Sequence, residues 1–169
     1  AAMLLPNAHR ALVMRRPEQF MKCKIDSIRS GGLTVDFRSV QPENNWVKLL
    51  SQWMTDNDVL IGVEDQELYN SDTIRSILLT TYRHGKVLIG PSRGFVEAGS
   101  LASTYTSPEH YLRQLQLMVQ FWQQTGSLPA PQFPLDYGIV VNRQVANSLG
   151  LSLPDDNTLL QQLQQRLQV

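Results

Sequence analysis

Apolar positions fall in two rhythms along the chain, a period near two and a period near 3.6, and the rhythms alternate. The short apolar run at residues 11–14 predicts a first strand. Pro17 suits the first turn of a helix, with Phe20, Met21, Ile25 and Ile28 on one face up to Gly31 and Gly32. Leu33, Val35 and Phe37 alternate with Thr34, Asp36 and Arg38, the pattern of a half-buried strand. A second helix is expected from about Glu43, with Trp46, Leu49, Leu50 and Trp53 on one side. Residues 59–63 have no polar alternation, which predicts a central strand buried on both faces. Ser71 or Asp72 reads as the N-cap of a third helix carrying Ile74, Ile77, Leu78 and Thr81 and closed by Gly85.

Residues 87–89 read as a fourth strand and 90–99 as a loop with three glycines. Residues 101–105 read as a short fifth strand. Ser107-Pro108 is a cap followed by a first-turn proline, opening a helix with Leu112, Leu115, Val119 and Trp122 at spacings of three and four. Gly126 ends it. Pro129, Pro131 and Pro134 impose an extended connector. Residues 137–141 form a last strand, Asn142 caps a short helix stopped by Gly150, and a glutamine-rich terminal helix carries Leu159, Leu160, Leu163 and Leu167. Strands separated by helices imply parallel pairing with right-handed crossovers. The expected fold class is α/β: an open, doubly wound, mostly parallel sheet in three layers, α/β/α. In such sheets ligands bind beyond the carboxyl ends of the strands, which singles out residues 15–17, 64–71 and 91–100.

Composition narrows the function classes. The 169 residues are 42% apolar and 18% charged, in the range of one globular domain. Fifteen basic residues balance fifteen acidic ones, so the chain carries no electrostatic footprint for nucleic acid. No apolar run approaches the roughly 18 residues of a membrane span, so direct membrane insertion is not expected. No secretory leader is visible, which a mature or trimmed chain would also lack. The single cysteine, Cys23, excludes an internal disulfide and a cysteine metal cluster, and its place mid-helix suits a small core residue.

Little in the sequence assembles catalytic chemistry. Gly90-Pro91-Ser92-Arg93-Gly94 matches the G-x-S-x-G nucleophile elbow and follows a strand. An elbow needs a long helix straight after it and a separate later histidine; Gly94 and Gly99 argue against the first, and only His110 follows. Residues 56–72 hold six acids (Asp56, Asp58, Glu64, Asp65, Glu67, Asp72) and no base, and Glu64, Asp65 and Glu67 among them are the candidates for a metal site. Met14-Arg15-Arg16 after the first strand would repel a metal there, and solvated cap residues explain the acids better. Neither dinucleotide nor P-loop fingerprints occur. His9, His84 and His110 are isolated, and the three tryptophans fall on amphipathic faces where core packing is the default. No metal and no cofactor are expected.

Three segments taken in order resemble one family. The central strand leads into Val63-Glu64-Asp65-Gln66-Glu67-Leu68-Tyr69-Asn70-Ser71, with Ile74 beyond. Phe95-Val96-Glu97-Ala98-Gly99-Ser100-Leu101-Ala102 follows. The third is Val141-Asn142-Arg143-Gln144-Val145-Ala146-Asn147-Ser148-Leu149-Gly150-Leu151, after the proline connector. The set is similar to the second half of bacterial periplasmic substrate-binding proteins of the ABC-transporter type, the group with tryptophan- and other amino-acid-binding members. The likeness spans about residues 8–153. It implies residues 1–153 as a C-terminal solute-binding lobe with 154–169 as a helix packed on it. It also implies a missing N-terminal lobe, a membrane permease or sensor as partner, and a periplasmic or otherwise extracytoplasmic location. Such lobes also resemble input domains of histidine kinases and diguanylate cyclases.

The leading expectation is a non-enzymatic lobe for an amino-acid-like ligand. Asp65 would pair an ammonium, Tyr69 would offer an aromatic wall, and Asn70 and Ser92 would give hydrogen bonds. Gly94 and Gly99 would let backbone amides approach a carboxylate, and Phe95 completes the set on the same loop. The alternatives are a hydrolase acting through Ser92 and a protein-interaction module or sensor input whose loops touch a partner.

Overall fold

The computed structural model describes residues 1–17, 26–41 and 45–167. They form one open sheet of seven strands: β1 (Arg10–Arg15), β2 (Ser27–Ser30), β3 (Leu33–Ser39), β4 (Val59–Ile61), β5 (Val87–Ile89), β6 (Ala102–Tyr105) and β7 (Gly138–Val141). The order is β2-β3-β1-β4-β5-β6-β7, which puts β4 in the middle. The five inner strands are parallel, and β2 and β7 are antiparallel edges. The helices are α1 (Trp46–Trp53), α2 (Ile74–Arg83), α3 (Arg93–Ala98), α4 (Pro108–Thr125), α5 (Arg143–Ser148) and α6 (Asp156–Leu167).

Side-chain alternation on the strands builds two cores, one per face of the sheet. Ala11 and Val13 of β1 join Val59, Val87, Ala102, Val145 and Leu159 in one. Leu12 and Met14 join Leu60 and Leu88 in the other, covered by Leu50 and Met54 from α1 and its cap, Ile77 from α2 and Phe95 from α3. The three-layer architecture and the mostly parallel sheet are as the periodicity predicts. Val59 and Leu60 are fully buried, as a strand covered on both faces must be.

Several local expectations are overturned. Ile28 is not helical: it lies in β2 and pairs with Val35 across a hairpin turned by Gly31 and Gly32, whose φ values are +56° and +84°. Phe20, Met21, Cys23, Ile25 and Glu43 lie outside the described residues. The glycine-containing loop at 90–99 holds α3, because burying Phe95 and Val96 outweighs the cost of about 1 kcal/mol for Gly94 in an exposed helical position. Helix α2 begins after Thr73 rather than at Ser71 or Asp72, whose segment is turned by the Asn70 side chain. The last strand is antiparallel to β6, and Trp122 is 51% exposed rather than packed in a core.

Helix α4 and the connector after it form an arm between neighbouring strands. Ser107 accepts a hydrogen bond from the His110 backbone N–H, and Gly126 closes the helix in the left-handed conformation. The connector is strapped to α4 by Gln114, whose amide donates to the Phe133 carbonyl (3.2 Å) and accepts from the Leu135 N–H (3.0 Å). No α4 residue is buried.

Candidate functional site

Because the inner strands are parallel, their carboxyl ends meet at one edge of the sheet. Residues 15–17 follow β1, 62–73 follow β4, 90–92 follow β5 and 106–107 follow β6. The β4 and β5 loops touch at Gly62: a methyl carbon placed there would come within 2.7 Å of Pro91 Cδ and 3.3 Å of the Tyr69 ring. Glycine is what lets them close.

Asp65 does not face solvent. Its side chain is 0% exposed, and Arg16 Nε donates to both carboxylate oxygens at 3.1 and 2.8 Å. Arg16 Nη1 also reaches Glu67 Oε2 at 2.7 Å, and the Glu67 N–H donates to Asp65 Oδ1 at 3.0 Å. A buried carboxylate is tolerated when a charge partner and further hydrogen bonds are supplied. Here one arginine ties the end of β1 to the loop after β4. Any role of Asp65 toward a ligand passes through Arg16.

Tyr69 and Phe95 belong to the core beneath one face of the sheet rather than to an open aromatic wall. Both are buried and pack edge-to-face at 6.1 Å with a 66° interplanar angle. The Tyr69 hydroxyl donates to the Met14 carbonyl at 3.1 Å. Burial, reinforced by the Asp65 charge, pushes the phenol well above its ordinary value against the opposing bond to Met14, so it stays a donor. The Asn70 side chain organises its own loop: Nδ2 donates to the Gln66 and Glu67 carbonyls, and Oδ1 accepts from the Asp72 and Thr73 N–H groups. Gly99 has φ +127° and its carbonyl accepts from the Tyr82 hydroxyl.

Ser92 is the exposed member, in extended backbone just before α3, and its side chain makes no cap bond. Arg93 beside it lies 5.8 Å from the Tyr105 ring centroid. The structure thus joins Asp65, Tyr69 and Phe95 into one packed unit, puts Ser92 on the adjoining rim, and leaves Asn70 and Gly99 shaping loops. Sequence reasoning gave Glu67 only as a candidate cation ligand, and it missed Arg16 and Arg93 as site residues. The signal for Arg16 was its position after β1, where two arginines had only argued against a metal. Among the described residues no group of three or more His, Cys, Asp or Glu could hold a metal ion, and no helix is long and apolar enough to cross a membrane. No hydrogen bond joins Ser92 to a histidine; the His84 ring bonds Ser51 Oγ at 2.9 Å.

No family profile matches the sequence, and no curated protein matches it at a significant level. Solved structures do share the fold. The ABC domain in complex with L-Trp from Streptococcus pneumonia aligns with a TM-score of 0.62 at 19% identity, over 91% of this chain and 54% of that one. A ligand-free, open substrate-binding protein with adhesive properties from Clostridium difficile gives 0.63 at 18%, over 91% and 54%. A conserved domain protein from Vibrio cholerae O1 gives 0.62 at 16%, over the same shares. The chain spans about half the length of these proteins. It has the fold of one half of a substrate-binding protein.

Proposed function

We propose that this chain is a non-catalytic solute-binding lobe that takes a small amino-acid-like ligand at the carboxyl ends of its parallel strands, outside the cytoplasm, for uptake or sensing. The observation that carries this is the fold match over 91% of the chain to an ABC domain in complex with L-Trp and to a substrate-binding protein. The residues at the strand ends suit a zwitterion. Glu67, with 62% of its side chain exposed at the end of the ion-pair chain through Arg16 to Asp65, offers negative charge to an ammonium, and backbone N–H groups at the start of α3 offer donors to a carboxylate. Ser92 and the backbone around Gly94 supply neutral hydrogen bonds. Tyr69, Asn70, Phe95 and Gly99 hold the loops that carry them. The opposing wall would come from an N-terminal lobe, and the partner would be a membrane permease or sensor.

A single wall gives weak binding. Pockets bury roughly 70–90% of a small ligand, and losing several hydrogen bonds at about 1 kcal/mol each weakens affinity tenfold for every ~1.4 kcal/mol. The isolated chain is therefore expected to bind amino acids in the millimolar range. An NMR titration with L-tryptophan and a panel of other amino acids checks this, with amide shifts expected at Arg16, Glu67 and Ser92. Saturating amino acids that leave those loops unmoved would sink the ligand assignment, and stoichiometric labelling of Ser92 by a fluorophosphonate would replace it with a hydrolase.

A further inference from the structure

Tyr111, Leu112, Leu115, Met118, Val119 and Trp122 fall at helical spacing and make one apolar stripe along α4, and no residue of that helix is buried. Glu109, Arg113, Gln116, Gln120 and Gln123 lie on the other side, with Leu117 and Phe121, 51% and 44% exposed, on one flank between them and the stripe. The stripe borders a groove of about 460 Å³ between α4 and its connector, lined by Tyr111, Leu112, Leu115, Met118, Gln132 and Pro134. From Gln114 to Leu135 the arm contains no charged residue. Monomeric proteins seldom leave so continuous an apolar surface in water.

We propose that the α4 stripe is a self-association surface, on which a second copy of this chain packs its own α4 in antiparallel fashion. Three features favour a copy of itself. A twofold contact sets each patch against itself, so a charged patch would repel its twin, and this one is neutral. With the axis between Leu115 and Met118, antiparallel pairing sets Tyr111 of one helix against Trp122 of the other and Leu115 against Met118, so large side chains meet at every level. The exposed apolar area of the arm, stripe and connector together, approaches what such a contact needs. Tyr111, Trp122 and Phe133 are 56%, 51% and 91% exposed, leaving on the order of 300–500 Å² uncovered at ~150–250 Å² per aromatic side chain. Leu112, Leu115 and Leu135 are more than half exposed and bring the patch toward the ~800 Å² per partner of a stable interface. The inference is independent of what the crevice binds.

Analytical ultracentrifugation of the full chain at micromolar to hundred-micromolar concentration tests it, with tryptophan emission as a second readout. A reversible dimer is expected, with emission blue-shifting as Trp122 is covered. Leu115→Glu should weaken association by on the order of a hundredfold or more, since it buries unpaired charge at the axis, while Gln120→Glu on the opposite face should leave the dimer intact. Circular dichroism and the unfolding midpoint of each variant confirm that it is folded. A wild-type chain that stays monomeric throughout, or a dimer that survives Leu115→Glu, overturns the proposal. A monomer whose Trp122 becomes protected only when a companion α/β lobe is added would overturn it in favour of that other occupant.

Discussion

A methyl carbon placed on Gly90 would come within 2.5 Å of the Ser100 hydroxyl oxygen and 2.7 Å of Phe95 Cβ. Neither neighbour can withdraw, because Ser100 and Phe95 are both buried. Gly90→Ala should therefore destabilise the fold by about 1–3 kcal/mol, the cost of overpacking a close-packed interior. Gly94 is the contrast. Its nearest neighbour would be 3.9 Å away, and it is exposed within α3, where alanine is the better helix former. Gly94→Ala should be neutral or stabilise by up to about 1 kcal/mol. Urea denaturation of both variants separates them; equal midpoints would show that the spacing between β5 and α3 is looser than described. The two glycines of G-x-S-x-G thus differ in kind, one required by packing and the other replaceable, and neither requirement is catalytic.

Caps decide how the elements begin and end, and they behave differently on a packed helix and on an unpacked one. Ser107→Ala removes a cap worth about 1 kcal/mol. Because α4 buries nothing, that loss should appear as faster amide exchange across 108–125 with little change in the global unfolding midpoint. Coupled loss of both would mean that the helix contributes to the core. Caps and periodicity also explain which elements were legible. Ser107, Gly126 and Asn142 behave as their residue types require, and β3 and β4 form where the periodicity puts them, although β4 ends at Ile61 rather than residue 63 and Asp36 of β3 is buried through its pair with Arg10. β2 was illegible because four exposed residues at a sheet edge carry no period. α3 was illegible because six residues with an internal glycine fall below any helical signal. The candidate site was legible only as a location. Its contacts, Arg16 to Asp65 across 49 residues and Tyr69 to Met14 across 55, exist only once the sheet brings distant segments together.

Across the whole molecule, Asp58 fastens the amino ends of the strands as Arg16 fastens the carboxyl ends. It accepts from the His9 and Arg10 backbone N–H groups at 2.8 and 3.0 Å and pairs with Lys86 at 3.1 Å, linking the starts of β1, β4 and β5. Burial alone would raise the Asp58 carboxyl; the backbone donors and Lys86 outweigh it and hold the group at about 2. A folded value below the unfolded one means that the contribution is fully present above about pH 4 and disappears as pH falls toward 2. With screening by solvent it should amount to about 1 kcal/mol. Asp58→Asn should lower stability at pH 7 by that much and flatten the acid limb between pH 4 and 2. An acid limb unchanged by the substitution would assign the effect to other carboxylates.

The register of the last two strands pairs Tyr105, the final residue of β6, with Gly138, the first of β7. Everything between them leaves and returns at one rung of the ladder. The Tyr105 ring lies within 2.8–3.0 Å of where a side chain on Gly138 would begin, so the two ends are already as close as a hairpin requires. In architectural terms residues 106–137 are a graft on a scaffold that closes without them. Replacing them with a two-residue Asn-Gly turn, the shortest closure for an antiparallel pair, should give a chain that unfolds cooperatively with an intact sheet and without the helical signal of α4. Failure of that chain to fold would show that the arm is a structural member. A detachable graft can change its sequence, and with it the company the protein keeps, while the loops at the strand ends stay as they were.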